Sequence, residues 1–358
     1  MSTTLETPVL IDRTGALGRL RLNRPQALNS LTLDMVRRIS QALDHFEKDP
    51  DIAAVLVTGE GDRAFCAGGD IRALYEAGRA GEALPETFWR EEYALNARID
   101  RFPKPYIAVM DGITMGGGVG LSSHGSHRIV TERTRLAMPE TGIGFFPDVG
   151  GTWLLGHGPG EIGTYLGLTG EQAGASDAIY AGLADTFVPS QDLGGLTEAL
   201  TALPAGIPDD AVTALIERFA KPVEPTPMQE DRAEIDRIFK GERIEEIVVA
   251  LEQSASEFLL KAHRTILAKS PTSLKLTLRL LRLARTSASL EECLEREFAA
   301  GHKVIAGHDF YEGVRAAVID KDRNPHWSPS RLEQVSDSDI EAYLSAATEP
   351  VFPARSDA

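Results

Sequence analysis

Cysteine is nearly absent from this chain: Cys66 and Cys293 are the two in 358 residues. Two thiols so far apart make neither a disulfide framework nor a zinc site, and the chain suits a reducing compartment. Positive charge is also scarce. Lysine and arginine number 37 against 53 aspartates and glutamates, a net charge of -16. That balance argues against nucleic acid or an anionic membrane as the main partner. It leaves an anionic ligand open, because backbone N–H groups can bind one on an acidic protein. No apolar run approaches membrane-spanning length, and Met1–Glu6 has neither a basic n-region nor an apolar h-region. The expectation is a cytoplasmic protein with no membrane partner.

Several catalytic signatures are missing as well. A dinucleotide-binding G-x-G-x-x-G begun at Gly116 meets Leu121 where glycine is required, and one begun at Gly118 meets Ser123. No Gly-Lys-Ser/Thr of a phosphate loop, no G-x-S-x-G and no H-E-x-x-H occurs. His124 and His127 are three apart without an acidic or thiol partner near them, and they read as structural.

What is present is an ordinary core, 42% hydrophobic and 25% charged, on a length that suggests about two domains. Val9–Ile11 and Leu17–Leu22 read as a hairpin around Thr14-Gly15. Thr32 is a helix N-cap, and Leu33, Val36, Ile39, Ser40, Leu43 and Phe46 follow at helical spacing up to Asp49-Pro50. Ala53–Thr58 and Tyr106–Met110 are continuous runs of the kind buried on both faces, and strand–helix–strand order implies parallel pairing.

Each of those strands leads toward a glycine loop. The first is Phe65-Cys66-Ala67-Gly68-Gly69-Asp70-Ile71, the second Gly116-Gly117-Gly118-Val119-Gly120-Leu121. Alone, the first also fits a tight turn with Asp70 as N-cap. Two such loops, each offering backbone N–H groups, are what an enzyme needs to hold a developing oxyanion from two sides. A third stretch, Leu136 to Gly151, sets Glu140 and Asp148 in a run otherwise almost wholly apolar or glycine, with no basic residue between them. Carboxylates there are costly unless paired or used. A helix-start Glu and a Pro147-Asp148 bend fit the same residues. Between the glycine loops, Glu86–Arg101 reads as a helix, with Glu91 and Glu92 on a solvated face.

Beyond Ala181 the character changes. Leu183–Val188 is a last strand, and helices follow from about Leu193, punctuated by Pro204, Pro208 and the 222–227 run. Glu257–Lys269 and Ser273–Arg285 carry apolar residues at helical spacing. Arg279, Arg282 and Arg285 form a basic stripe that suits a solvated face or i,i+3 ion pairs better than a phosphate contact.

With these motifs in order, the chain resembles the crotonase (enoyl-CoA hydratase/isomerase) superfamily, and within it the 3-hydroxyisobutyryl-CoA hydrolase branch, over residues 10–330. Phe88–Tyr93, Lys104–Ala108, Ser270–Lys275 and Gly307–Ala316 also carry the likeness. The resemblance implies an α/β fold of stacked β-β-α turns with an α-helical C-terminal region. The implied layout is a catalytic core over 1–190, a helical region over 191–335 completing the same unit, and a loose acidic tail over 336–358. It implies an acyl-CoA substrate, with CoA part of the substrate and no separate cofactor or metal. Helical C-terminal parts either build a homo-oligomer or cover that surface in cis. By the same resemblance Gly69 and Gly117 supply the oxyanion hole, Glu140 and Asp148 are catalytic, and Glu92 belongs to the substrate site rather than to a solvated face. Two departures separate the chain from a hydratase: Gly120 stands where a hydratase has its second glutamate, and Asp148 stands where a hydratase has glycine.

Overall fold

A computed structural model describes residues 7–352. It opens on an antiparallel hairpin, β1 (Val9–Thr14) and β2 (Leu17–Leu22), as the alternation predicts. In α1 (Leu33–Lys48) Thr32 is the N-cap, its hydroxyl accepting from the Met35 N–H at 3.3 Å, and Val36, Ile39, Leu43 and Phe46 are buried. Three strand pairs follow. The first is β3 (Ala54–Gly59) and β4 (Ala64–Cys66), leading to α2 (Ile71–Arg79) and α3 (Leu84–Asp100). The second is β5 (Tyr106–Met110) and β6 (Ile113–Met115), leading to α4 (Gly117–Ser122). The third is β7 (His127–Val130) and β8 (Arg135–Ala137), leading to a 3-10 turn over Glu140–Ile143.

In each pair one strand joins each of two sheets. The larger runs β1-β2-β3-β5-β7-β9, the last being Thr186–Phe187, and the smaller β4-β6-β8. From β2 onward the larger sheet is parallel, so β3 and β5, buried on both faces, read as unbroken apolar runs. These are the expected stacked β-β-α turns. Strand β9 (Thr186–Phe187) is shorter than the Leu183–Val188 reading, and α5 (Gly151–Gly156), α6 (Ile162–Thr169) and α7 (Ala175–Tyr180) precede it. Helices then dominate, as expected: α8 (Leu193–Thr201), α9 (Asp209–Glu217), α10 (Pro227–Glu230), α11 (Arg232–Phe239), α12 (Ile244–Glu252), α13 (Glu257–Leu267), α14 (Pro271–Ala284), α15 (Leu290–Ile305), α16 (Asp309–Val314) and α17 (Asp337–Leu344). None of the described helices is long and apolar enough to cross a membrane.

The chain divides into two compact units that interleave along the sequence, unlike the linear split near residue 190. The first runs to Gly69 and adds Leu95–Leu136 and Ala173–Glu224; the second takes Asp70–Ala94, Ala137–Gln172 and the chain from Pro225. In the first, Leu56, Ile107, Val109 and Ile129 of the larger sheet share a core with Leu196 and Leu200 of α8 and with Val212, Leu215 and Ile216 of α9. In the second, the buried Glu161 accepts from Arg282 at 3.2 Å and from Arg285 at 2.6 Å, while Arg279 pairs with Glu341. The basic stripe is therefore an ion-pair seam. The tail reading needs correction over 337–344. Ser336 and Asp339 form a capping box and Ile340 is buried, which fixes α17 where looseness was expected; residues 353–358 lie outside the described residues.

Glycine is required where the second glycine loop meets β4. A Cβ on Gly118 would lie 2.2 Å from the Cys66 carbonyl oxygen, so only a hydrogen lets α4 approach so closely. Gly118→Ala is therefore expected to destabilise by about 1–3 kcal/mol. Gly81→Ala is the control, because nothing lies within 4 Å of its added carbon, though its φ of +72° brings a backbone penalty of its own. Paired thermal melts check this; equal losses from the two substitutions would contradict the packing argument.

Candidate active site

The two glycine loops lie side by side in the first unit. Gly68 adopts φ +101°, and its carbonyl accepts from the Leu31 N–H at 2.8 Å. A Cβ on Gly68 would sit 3.3 Å from Met115 O and 3.8 Å from Gly117 N. Gly116 is the N-cap of α4, its carbonyl accepting from the Val119 and Gly120 N–H groups at 2.8 and 3.2 Å. Gly117 is thus the first residue of that helix, where an N–H has no acceptor within the helix. Asp70 caps α2 through the Ala73 N–H at 3.4 Å, so its N-cap reading also holds. Gly120 is buried within α4 and brings no carboxylate there.

The carboxylates gather in the second unit. Glu92 and Tyr93 follow Phe88 and Trp89 by one helical turn on α3, so they share the buried face. The Trp89 ring stacks on Phe145 at 5.1 Å, and Phe145 on Phe146 at 4.5 Å, which fastens this helix to the segment between Glu140 and Asp148. Glu140 opens the 3-10 turn after Pro139, and its carbonyl accepts from the Phe145 N–H at 3.0 Å. That turn ends at Gly144, φ +71°, where a Cβ would fall 2.1 Å from Asp309 O. Asp148 is followed by Val149 at φ +54° and Gly150 at φ +77°. A β-branched residue is rarely left-handed, at a cost of about 1–3 kcal/mol. Glu297 of α15 offsets it by accepting from the N–H groups of Gly150 at 2.8 Å and Thr152 at 3.1 Å, and from the Thr152 hydroxyl.

Four carboxyl groups are thus buried together: Glu92 is 2% exposed, Glu140 7%, Asp148 6% and Glu297 0%. Burial pushes the Glu92 carboxyl well above the usual glutamate range, and the charges of Asp148 and Glu140 push it further. Burial does the same to Glu140, with Asp148 adding to the rise and a backbone hydrogen bond, then Lys269, opposing it. Asp148 is pushed up to about 7 by burial, although it accepts from the Tyr93 hydroxyl at 2.7 Å. Glu297 is pushed up to about 8, again by burial first. Glu92 Oε1 and Glu140 Oε2 are buried without a hydrogen-bond partner. Buried polar atoms are nearly always satisfied, so two orphans in one place mark where a ligand's donors would go.

The structure therefore brings Glu92, Glu140 and Asp148 together, and separately the two loops that carry Gly69 and Gly117. The solvated-face reading of Glu92 is corrected: it lies on the turn-to-turn row of Trp89, which is buried. Tyr93 and Glu297 were missed. Glu297 had a signal, for it occupies a place in the apolar row Leu290, Leu294, Gly301, Val304 of α15. His127 binds the Ser126 and Thr213 hydroxyls at 3.0 and 2.9 Å. No group of three His, Cys, Asp or Glu side chains is arranged for a metal among the described residues.

The chain matches the enoyl-CoA hydratase/isomerase family model over residues 17–344 and belongs to that family. It is 44% identical over 354 residues to the mitochondrial 3-hydroxyisobutyryl-CoA hydrolase of Danio rerio, covering 98% of this chain and 92% of that protein. Among solved structures it is similar to a carnitinyl-CoA dehydratase from Mycobacterium thermoresistibile, with TM-score 0.91 and 40% identity over 96% of this chain and 98% of that one. It is also similar to an enoyl-CoA hydratase from Rhodobacter sphaeroides, with TM-score 0.87 and 42% identity over 95% and 97%.

The raised Glu297 carboxyl has a consequence for stability. The folded state keeps a proton that the unfolded chain releases above about 4.5, so this group's contribution is full below 4.5 and is lost as pH rises to about 8. Glu297→Gln should flatten the fall of melting temperature across that window. Melts at a series of pH values check it; an unchanged slope in the variant would assign the fall to other groups.

Proposed function

We propose that this protein is an acyl-CoA thioester hydrolase that cleaves 3-hydroxyisobutyryl-CoA, and 3-hydroxypropionyl-CoA as a close analogue, to the free hydroxy acid and CoA. The observation that carries the reading is the carboxylate set: Asp148 is buried beside Glu140, while Gly120 leaves the hydratase pair of glutamates incomplete. The amides of Gly69 and Gly117 are the proposed donors to the thioester oxygen, where charge develops as the carbonyl carbon becomes tetrahedral. Glu140 takes a proton from the attacking water, or attacks the carbonyl itself and forms a mixed anhydride that water then opens. In both routes the C–S bond breaks and the CoA thiolate leaves with a proton.

Asp148 suits the remaining work. Near 7 it can hold or release a proton at neutral pH, and two neighbouring carboxyls with separated affinities divide acid from base duty. It either orients the 3-hydroxyl or shares the proton transfers, with Glu92 at the substrate site. The proposed chemistry uses no metal and no cofactor beyond the CoA of the substrate. Cleavage of this thioester places the enzyme in valine catabolism. The compartment we assign is the cytoplasm, on two buried cysteines outside any disulfide; the vertebrate relative is named mitochondrial.

The solved relatives named as a hydratase and a dehydratase supply the second reading, hydration of a double bond. Thiol release from 3-hydroxyisobutyryl-CoA and double-bond absorbance with crotonyl-CoA, measured on one preparation, separate the two. Release should exceed hydration by a wide margin, and the reverse order would put the chain among the hydratases. Glu140→Gln should lower turnover by about 10²–10⁴ with acyl-CoA binding retained, the range of general acid–base catalysis. Near-parental turnover in that variant would remove Glu140 from its role. Gly117→Pro deletes the backbone donor itself, at about 2.7–4 kcal/mol of transition-state stabilisation. Circular dichroism must show the variant folded, and normal activity in a folded Gly117→Pro protein would contradict the oxyanion assignment.

A further inference from the structure

Lys269 is half-buried in the second unit, in the link between α13 and α14. Its backbone is fixed on both sides: its own N–H donates to Ile266 O at 3.0 Å, and the next N–H, of Ser270, donates to Thr141 O at 3.3 Å. Thr141 directly follows Glu140. The Ser270 hydroxyl is held in turn by Asp309 at 2.6 Å. The lysine side chain runs back over the 3-10 turn that Glu140 opens. A Cβ on Gly142 would meet its Nζ at 3.1 Å, and one on Gly170, the C-cap of α6, would meet it at 3.6 Å. The ammonium therefore lies between two glycines that leave it room, at the carbonyl end of a helix, where a positive charge is favoured.

The charged groups around it are few. Lys269 faces Glu171 and Glu140. Glu171 already has partners, accepting from Lys261 at 2.7 Å and from the Thr265 hydroxyl at 3.2 Å. Glu140 faces Asp148, Glu297 and Glu92, all of its own sign, and Lys269 of the opposite sign. Its Oε2 has no hydrogen-bond partner, and a backbone hydrogen bond at Glu140 joins Lys269 in favouring the ionised form.

We infer that Lys269 is a positioning residue for the reaction, favouring the ionised form of Glu140 through an ammonium held against the turn that carries it. The inference rests on Glu140 being the base or nucleophile. Burial and three neighbouring carboxyls all favour the protonated acid, which can neither accept a proton from water nor attack a carbonyl. A backbone hydrogen bond at Glu140 and the one cation packed against its turn oppose them.

The test is the pH dependence of kcat/KM for thiol release from 3-hydroxyisobutyryl-CoA. A nearby opposite charge favours the ionised carboxyl, so Lys269→Met should move the acid limb upward. On the acid side of that limb each unit of upward movement reads as about a tenfold loss. Lys269→Arg should keep the parental limb. Glu171→Gln, which removes the other partner of the ammonium, should not raise it. Where Lys269→Met does not fold, Lys269→Gln gives the same reading. A lysine that only braces the link between α13 and α14 would lower the melting temperature and leave the limb in place, and that result overturns the inference. If Glu140→Gln retains turnover, the assignment of Glu140 fails first; if that variant is inactive and the limb is unmoved in Lys269→Met, the inference about Lys269 alone is wrong.

Discussion

Burying Glu92, Glu140, Asp148 and Glu297 in one place is the constraint around which the second unit is built. Each carboxylate loses hydration worth several kcal/mol, and each ionised neighbour makes the next ionisation harder. The four groups cannot all be charged, so protons are shared among them, and their titration belongs to the set rather than to one residue. The surrounding devices follow from that. Tyr93 donates to Asp148, Glu297 ties down the backbone beyond it, and Lys269 brings an opposite charge to Glu140. Glu92 Oε1 and Glu140 Oε2 stay without a hydrogen-bond partner, and on the proposed reading they are kept for the substrate.

The first unit solves a different problem with less chemistry. On the proposed reading its task is to present backbone amides, and it is built on close approach of main chain to main chain. Gly118 lies where any side chain would strike Cys66, and Gly68 lies against Met115 and Gly117. A side-chain donor would rotate; an amide set by neighbouring strands is already oriented when charge develops. The rigidity comes from the parallel sheet behind the loops, whose strands β3 and β5 are buried on both faces.

How much of this was legible depended on the length over which a pattern persists. The hairpin, α1, β3 and β5 announced themselves by periodicity. Strands β4, β6 and β8 have three residues each and no period to detect; their pairing is decided by the sheet they join. Glu140 and Asp148 were visible because they interrupt an apolar run. Glu92 looked solvated because Glu91 stands beside it and charge pairs usually face water. Glu297 is one acid in a helix rich in them, and only its row on α15 separates it from Glu291, Glu292 and Glu295. Lys269 could not be read at all, since its relation to Glu140 spans more than a hundred residues and is made by the Ser270–Thr141 hydrogen bond.

The interleaving of the two units bears on how such a chain can be divided. Leu196, Leu200, Val212, Leu215 and Ile216 come after the last strand, yet they share the core of the larger sheet with Leu17, Leu56 and Ile107. A gene fragment ending near residue 190 would encode every described strand and still leave that sheet with an uncovered apolar face. Neither unit is a contiguous stretch that recombination could move into another protein intact. Cutting the chain at any single point therefore divides at least one of the two units.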